Sequence, residues 1–400
     1  MARPKKEQET ENKTERPKID FGFFKQTVET EGVQVMAASE VADPKPNRSG
    51  SFNLDYDLII PFPGGRICEI YGPEATCKTT LLLEILGQAI AQGKTCLYVN
   101  MEKNLNFSLM RTVRSLRPFL DAAIEQMKTG KMGVCPLWIV NASTGEQAME
   151  AMRKFAAMVP DGVAGLDSID AAQPEAVLSG TIGENKVGNL AKLMSDAMHK
   201  LVNVAATNNV GLVFINQIRD KITMYGDPTT TPGGHAMKFY ASQRLQLFKP
   251  RKDDIILDLE GNRIGVIIRY KVVKNKVAPD GAEGAFPVLF NNGIFREQEL
   301  VTRCANFGII KLGGQGGKQV FIPVIDRKTG DYIMEVVKGP DGKDLTQRKE
   351  IRMTQFQAAK RLLLDAALTK RLEQDLLSMV DVHHHAAIDA LLEDEVQEPE

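Results

Sequence analysis

Short apolar runs alternate with longer segments of helical spacing between residues 66 and 215. Each run has four to six residues, a length that suits strands rather than helices, and contains few polar side chains. Strands of this kind are buried on both faces of a parallel sheet, with helices connecting them. The sequence therefore predicts an α/β fold, with a mostly parallel central sheet covered by helices and strands at residues 66–71, 95–99, 137–140, 162–166 and 211–215.

The pattern changes after about residue 240. Residues 244–249, 263–274 and 286–290 resemble adjacent strands without intervening helices, and residues 297–380 look more helical. The last dozen residues hold six acids and no base, which is typical of an acidic tail. We therefore expect four segments: a charged tail and arm at 1–49, a main domain at 50–295, a small α+β domain at 296–380, and an acidic tail at 381–400.

The charge is balanced over the whole chain, with 50 basic and 51 acidic residues. Any nucleic-acid site must therefore be local rather than spread over the whole surface. The five scattered cysteines form no C-x-x-C pair, which argues against a structural zinc site or a disulfide framework. Because no run of 18 apolar residues exists and the N-terminus is charged, we expect a cytoplasmic protein without a membrane partner.

A phosphate-binding loop is indicated by Gly-Pro-Glu-Ala-Thr-Cys-Lys-Thr at residues 72–79, between a predicted strand and a predicted helix. In such a loop, backbone N–H groups and the helix N-terminus cradle phosphates. Lys78 would reach the β- and γ-phosphates of ATP, and the Thr79 hydroxyl would bind Mg²⁺. The alternative, a strand–turn–helix with a coincidental Lys-Thr, needs four features to coincide. The residues expected at the nucleotide are Gly72, Pro73, Glu74, Ala75, Thr76, Cys77, Lys78, Thr79 and Thr80.

Cys77 departs from the phosphate-loop pattern, which has glycine before the lysine. Glycine suits a backbone that approaches phosphates closely and adopts unusual dihedral angles. We expect the cysteine to be tolerated at some cost in strain. We also expect the helix N-terminus and Lys78 to lower the pKa of the thiol and make Cys77 reactive.

Two acids follow predicted strands at the edge where parallel sheets bind ligands. Glu102 lies just beyond the strand at 95–99, and Asp167 ends the strand at 162–166. Taken alone, Glu102 is better explained as a solvated loop acid, and Asp167 could equally cap a helix. Beside a phosphate-binding loop, the two acids suit ATP hydrolysis, in which one activates water and the other supports Mg²⁺.

Several strings of residues resemble bacterial members of the RecA family in order and spacing. The most specific are Ile-Asn-Gln-Ile-Arg at 215–219 and Lys-Val-Val-Lys-Asn-Lys at 271–276, which other P-loop ATPases lack. The resemblance covers about residues 50–295 and continues more faintly to about residue 375. It implies a RecA-type ATPase core that uses ATP and Mg²⁺. It also implies a recombinase that forms a homo-oligomeric helical filament on single-stranded DNA and pairs it with homologous double-stranded DNA.

The resemblance also implies roles for individual residues. Glu102 corresponds to the catalytic acid that activates water, and Gln217 to the residue that senses the γ-phosphate. Asn106 corresponds to an adenine-side contact, although the family usually has an acid there. Lys274 and Lys276 correspond to a pair that reaches the ATP of a neighbouring subunit. Without the resemblance, a solvated strand edge is the better explanation of these two lysines.

Two loops correspond to the DNA-binding loops of the family, at residues 183–189 and 218–234. Basic side chains there would contact phosphates, and an apolar side chain could insert between bases. Without the resemblance, the loop at 218–234 is better explained as an active-site lid. The residues expected at DNA are Lys186, Lys192, Ser195, Arg219, Lys221, Ile222, Gly233 and Gly234.

Two other functions stay open at the level of sequence. A RecA-core ring motor, such as a helicase, shares the nucleotide chemistry but should lack the string at 271–276. A DNA-coating protein that binds nucleotide with little hydrolysis has Cys77 as its only support, because Glu102, Asp167 and Gln217 are all retained.

Overall fold

The computed structural model describes residues 41, 43–129, 135–179, 188–220, 229–258, 260–314, 319–338, 340 and 343–379. The chain divides into two compact units, Met1–Asp43 and Pro44–Glu400, and every described helix and strand lies in the second. Residues 1–40 of the predicted charged tail and arm, and the predicted acidic tail at 381–400, lie outside the described residues. No helix in the described ranges is long and apolar enough to cross a membrane.

Most of the strands before residue 295 belong to one large sheet. In chain order, the strands of this part are β1 (Ile67–Gly72), β2 (Cys96–Asn100), β3 (Leu137–Val140), β4 (Val163–Asp167), β5 (Gly211–Gln217), β6 (Arg219–Asp220), β7 (Thr229–Thr230), β8 (Gln243–Leu247), β9 (Ile255–Leu257), β10 (Arg263–Asn275), β11 (Glu283–Leu289) and β12 (Gly293–Ile294). The order across the sheet is β12–β11–β10–β8–β1–β5–β4–β2–β3, with β9 paired to β10, while β6 and β7 form a separate two-stranded sheet. The six strands from β8 to β3 are parallel, and β10 to β12 are antiparallel. The predicted mostly parallel sheet is therefore confirmed.

Helices cover both faces of this sheet. The helices of this part are α1 (Phe52–Leu58), α2 (Lys78–Ala91), α3 (Phe107–Arg111), α4 (Arg117–Thr129), α5 (Gly145–Met158), α6 (Glu175–Leu178), α7 (Asn189–Thr207) and α8 (Ala236–Tyr240). Side chains of a strand alternate between the faces of its sheet. In β5, Val213 and Ile215 join the core that contains α2, whereas Leu212 and Phe214 join the core that contains α5 and α7. The central strands are thus buried on both sides, as their apolar sequences predict.

The C-terminal part has its own hydrophobic core, built largely from residues beyond 295. Its elements are α9 (Arg296–Asn306), β13 (Lys311–Gly313), β14 (Gln319–Pro323), β15 (Met334–Lys338), β16 (Asp344–Arg348), β17 (Glu350–Thr354) and α10 (Gln355–Leu364), followed by helical residues 366–379. The strands form a three-stranded antiparallel sheet and a two-stranded hairpin. The expected α+β character is confirmed, but this part holds more strand than its sequence indicated. Several of its strands are short and largely exposed, so their sequences lack a continuous apolar run.

A buried carboxylate joins the C-terminal part to the start of the core. The Ser51 hydroxyl donates a hydrogen bond to Glu299 Oε1 at 2.7 Å, and the Phe52 backbone N–H donates to Oε2 at 2.7 Å. Burial raises the pKa of Glu299 to about 8 despite these two donors. Asp55 adds to the rise through its negative charge, and Arg296 opposes it.

We expect the free energy of unfolding to fall as the pH rises from about 5 to about 8. The folded protein keeps the Glu299 proton up to about pH 8, whereas the unfolded chain loses it near the ordinary value of 4.5. Each pH unit in this window costs about 1.4 kcal/mol at most. Urea unfolding at about pH 6 and about pH 9 measures the effect. E299Q cannot ionise and should show a smaller pH dependence; an equal dependence in both proteins would contradict the assignment.

Candidate nucleotide site and its neighbouring loops

The carboxyl ends of four parallel strands, β1, β2, β4 and β5, meet at one edge of the sheet. A cleft of about 310 Å³ opens there. Its lining residues are Glu74, Ala75, Thr76, Cys77, Lys78, Thr79, Glu102, Asp167 and Gln217. The structure therefore brings together the phosphate loop, both candidate acids and the candidate sensor, all of which are far apart in sequence. Thr80 is half-buried in the first turn of α2 and does not line the cleft.

The phosphate loop connects β1 directly to α2, which begins at Lys78. Gly72 packs so closely on β8 that any Cβ would clash with the Leu247 carbonyl oxygen. The Lys78 ammonium donates hydrogen bonds to the carbonyl oxygens of Gly72 at 3.0 Å and Pro73 at 2.6 Å. Burial lowers the pKa of Lys78, and the charge of Asp167 opposes this. The lysine thus lies inside the loop, where phosphate oxygens can accept the same hydrogen bonds.

Asp167 lies beside the start of α2 and receives two hydrogen bonds. The hydroxyls of Thr79 and Tyr98 both donate to its Oδ2 atom, at 2.6 Å and 2.7 Å. Burial raises the pKa of Asp167, and these two donors oppose the rise. One hydroxyl and one carboxylate fit Mg²⁺, which usually takes few protein ligands and keeps waters and nucleotide oxygens. The described residues hold no cluster of three or more His, Cys, Asp or Glu that would suit a different metal site.

Glu102 follows β2 and faces the cleft with an exposed side chain. Its Oε1 atom accepts hydrogen bonds from the Ser168 hydroxyl at 2.8 Å and from Gln217 Nε2 at 3.4 Å. Asn104 donates to the other carboxylate oxygen at 3.0 Å. Three side chains therefore orient this acid, which suits a group that must position one water molecule.

Cys77 is held in the left-handed region, with φ at 57°. This conformation explains why glycine is usual there, and it confirms that the cysteine carries backbone strain. The predicted lowering of its thiol pKa is wrong. Cys77 packs against the core that contains α2, and this burial raises the pKa of the thiol to about 11. The charges of Arg263 and Lys78 oppose the rise but are outweighed by desolvation.

The Cys77 thiol should therefore be slow to alkylate. With a pKa of about 11, only about one thiol in a thousand is ionised near pH 8, and the thiolate is the reactive form. Cys135 is exposed and serves as an internal control. Peptide mapping after brief iodoacetamide treatment should show Cys77 labelled at least about tenfold more slowly than Cys135. Equal labelling rates would contradict the burial argument.

The sequence was compared with known families and proteins. A family model described as the RecA N-terminal domain matches residues 23–295, which is more than half of the chain. The chain belongs to the RecA family. Protein RecA of Porphyromonas gingivalis is 36% identical over 283 residues, or 70% of this chain and 76% of that protein. Protein RecA of Thermus thermophilus is 37% identical over 270 residues, or 66% of this chain and 73% of that protein.

A crystal structure of the RadB recombinase matches with a TM-score of 0.46 and 20% sequence identity. That match covers 62% of this chain and 98% of the RadB chain. Both RecA proteins are more than 30% identical to this chain, and the N-terminal domain model matches more than half of it.

Lys274 and Lys276, at the end of β10, do not line the cleft of their own RecA core. The Lys274 ammonium donates to the carbonyl oxygens of Lys238 at 2.6 Å and Phe239 at 3.2 Å, and Lys276 donates to that of Phe239 at 3.3 Å. These carbonyls belong to the last turn of α8, where positive charge is stabilised. The Phe239 side chain is 72% exposed beside them.

The expected DNA residues of this RecA-family chain are only partly described. Lys186, Lys221 and Ile222 lie outside the described residues. On α7, Lys192 is exposed and Ser195 is half-buried. The Arg219 guanidinium forms an ion pair with Asp170. This pair was not expected from sequence, and DNA phosphate would have to compete with it.

Gly233 and Gly234 shape the end of the second loop. Both have positive φ values, 86° and 70°, which favour glycine. Gly233 is buried against Met194 and Ile169, while Gly234 is exposed. A Cβ on Gly234 would lie 2.8 Å from the Cβ of Ala191 on α7, so the two glycines let this segment approach that helix.

A buried polar network beneath the cleft was missed by sequence reasoning. Glu69 in β1 accepts hydrogen bonds from Arg244 Nε at 2.5 Å and Asn216 Nδ2 at 2.9 Å. Asn216 also donates to the Pro232 carbonyl oxygen at 3.1 Å. The network links the phosphate-loop strand to the end of the second loop. The sequence does show Glu69 as a single acid in an otherwise apolar strand. Because a buried charge needs a partner, this acid could have indicated the network.

Proposed function

We propose that this chain is a DNA-dependent ATPase and recombinase that assembles on single-stranded DNA and pairs it with homologous double-stranded DNA. The observation that carries the proposal is the cleft in which Lys78, Thr79, Asp167, Glu102 and Gln217 converge, in a chain of the RecA family. Membership of a family of recombinases and ATPases makes this activity the expected one. The cleft holds the side chains that ATP hydrolysis requires.

The nucleotide would bind through the backbone N–H groups of residues 74–79 and the ammonium of Lys78. Thr79 and Asp167 would hold Mg²⁺, which neutralises charge on the β- and γ-phosphates when it is bound. Glu102 would orient a water molecule and accept its proton, because its carboxylate is exposed to the cleft and already oriented by Ser168.

Gln217 would couple the nucleotide to DNA. Its amide lies 3.4 Å from Glu102, at the end of β5, and the loop expected at DNA, residues 218–234, begins at the next residue and includes Arg219. A γ-phosphate oxygen would compete with Glu102 for this amide. Movement of Gln217 would then change the start of the loop. Single-stranded DNA would act in reverse by drawing Arg219 away from Asp170.

Lys274 and Lys276 would complete the ATP site of the neighbouring subunit. Both ammonium groups lie at the surface, outside their own cleft, and both are held by α8 carbonyls. Positive charge supplied in trans stabilises the charge that develops on the transferred phosphoryl group. Residues 1–49 would form the arm that docks on a neighbouring subunit, and 296–380 the C-terminal domain, in a cytoplasmic protein.

Phosphate release with and without single-stranded DNA tests the proposal. We expect Mg²⁺-dependent hydrolysis that single-stranded DNA stimulates several-fold, and electron microscopy should show open helical filaments with ATP and DNA. Closed rings would instead identify a ring motor. Nucleotide binding without hydrolysis, with or without DNA, would contradict the proposed enzyme and identify a DNA-coating protein.

A further inference from the structure

Tyr98 is a polar side chain in the middle of an apolar core. It lies at the centre of β2 and has no solvent exposure. Its ring belongs to the core that contains α2, and its partner in β4 is Gly165. A Cβ on Gly165 would clash with Leu82 of α2, so the absence of a side chain there leaves room on this face of the sheet.

The Tyr98 hydroxyl reaches from this core to the edge of the nucleotide cleft. It donates to Asp167 Oδ2 at 2.7 Å, the same atom that accepts from the Thr79 hydroxyl at 2.6 Å. Within the described residues, Asp167 Oδ1 accepts no hydrogen bond. The two donors thus fix the orientation of the Asp167 carboxylate through one of its oxygens.

The two donors, Thr79 and Tyr98, differ in their position relative to the cleft. Thr79 lies in the first turn of α2 and is half-buried at the cleft, where its oxygen would also bind Mg²⁺. Tyr98 is fully buried and does not line the cleft, and it contacts the site through the hydrogen bond from its hydroxyl to Asp167.

We propose that Tyr98 is a positioning residue for the Mg²⁺ site, which orients the Asp167 carboxylate through its buried hydroxyl. The inference rests on the proposed function, in which Thr79 and Asp167 hold the metal. Hydrogen bonds behind a metal ligand fix its orientation, and their removal typically weakens metal binding by about 10- to 100-fold. If Tyr98 were only a buried tyrosine with its hydrogen bond satisfied, removal of its hydroxyl would change the stability of the fold and leave metal affinity unchanged.

Tyr270 provides a matched control for this distinction. It is also fully buried in the sheet, and its hydroxyl also donates to an aspartate oxygen, Asp57 Oδ2, at 2.7 Å. Neither Tyr270 nor Asp57 lines the nucleotide cleft. Y98F and Y270F therefore remove the same bond from equally buried rings, and only the first lies behind the proposed metal site.

The test is a Mn²⁺ titration of the full-length protein with ADP, followed by electron paramagnetic resonance. Y98F should bind Mn²⁺ about tenfold more weakly than wild type, whereas Y270F should stay within about twofold. ADP binding without metal should be unchanged in both variants. If Y98F does not fold, 4-fluorophenylalanine at position 98 fills the volume of the hydroxyl without donating, and the same tenfold loss is expected.

Unchanged Mn²⁺ affinity in the folded position-98 variant, or an equal loss in Y270F, would overturn the inference. In either case wild-type hydrolysis would stand, so only the role of Tyr98 would fail. If the wild-type protein binds no Mn²⁺ with ADP, the proposed function itself fails, and the inference fails with it.

Discussion

Replacement of Glu102 by glutamine leaves ATP binding intact and slows hydrolysis by about a hundredfold or more. Glutamine keeps the shape of the side chain and its contacts with Ser168 and Gln217, but it cannot accept a proton from water. Single-turnover phosphate release with saturating single-stranded DNA measures the loss. Equilibrium binding of a fluorescent ATP analogue shows that the site is still formed.

Glu125→Gln is the control for this experiment, because Glu125 is an exposed acid on α4, away from the cleft. It should hydrolyse ATP at the wild-type rate. A near-normal rate in E102Q would show that water is activated by another group. Loss of ATP binding in E102Q would show that the acid builds the site rather than acting in the reaction.

The double variant Lys274→Ala, Lys276→Ala should bind ATP normally and lose nearly all DNA-stimulated hydrolysis. Binding survives because Lys78 and the phosphate loop belong to the same subunit, whereas catalysis needs charge from the neighbour. Mixing this variant with Lys78→Ala should restore part of the activity, since each protein supplies the half that the other lacks. Phosphate release over a series of mixing ratios measures the recovery.

Lys271→Ala serves as the control on the same strand. Its ammonium pairs with Glu283 at 2.7 Å and touches no α8 carbonyl, so its removal should leave hydrolysis within about twofold of wild type. If no mixing ratio restores activity, the ATP site is not completed by lysines of a neighbouring subunit. Full activity in the double variant alone would assign the two lysines to an ordinary strand edge.

Local sequence patterns determined the positions of the central strands and the residues of the nucleotide site. The five strands predicted between residues 66 and 215 were found within two residues of their predicted ends, because short apolar runs of this length are typical of strands in a parallel sheet. Four of them are buried on both faces, whereas β3 lies at the edge of the sheet and exposes Trp138 and Ile139. The sequence also placed Lys78, Thr79, Glu102 and Asp167 in one site. This was possible because the carboxyl ends of parallel strands meet at a common edge, whatever their separation in the chain.

The ionisation of Cys77 and Glu299 was decided only by the tertiary structure. The sequence shows Lys78 beside Cys77, and on that basis the thiol pKa was expected to fall. The folded chain packs the thiol against the α2 core, and desolvation outweighs the neighbouring charge. Glu299 is one acid among several in α9, and only its contacts with Ser51 and Phe52 reveal a buried carboxylate.

Hydrogen bonds between segments far apart in sequence were also decided only by the tertiary structure. Tyr98 contacts Asp167 across 69 positions of sequence, and Arg219 pairs with Asp170 across 49. A sequence pattern shows which face of a strand a residue occupies, but not which atom lies at the end of its side chain. Strand period and loop chemistry are local properties that the sequence determines, whereas desolvation and hydrogen-bond partners depend on atoms that only the fold brings together.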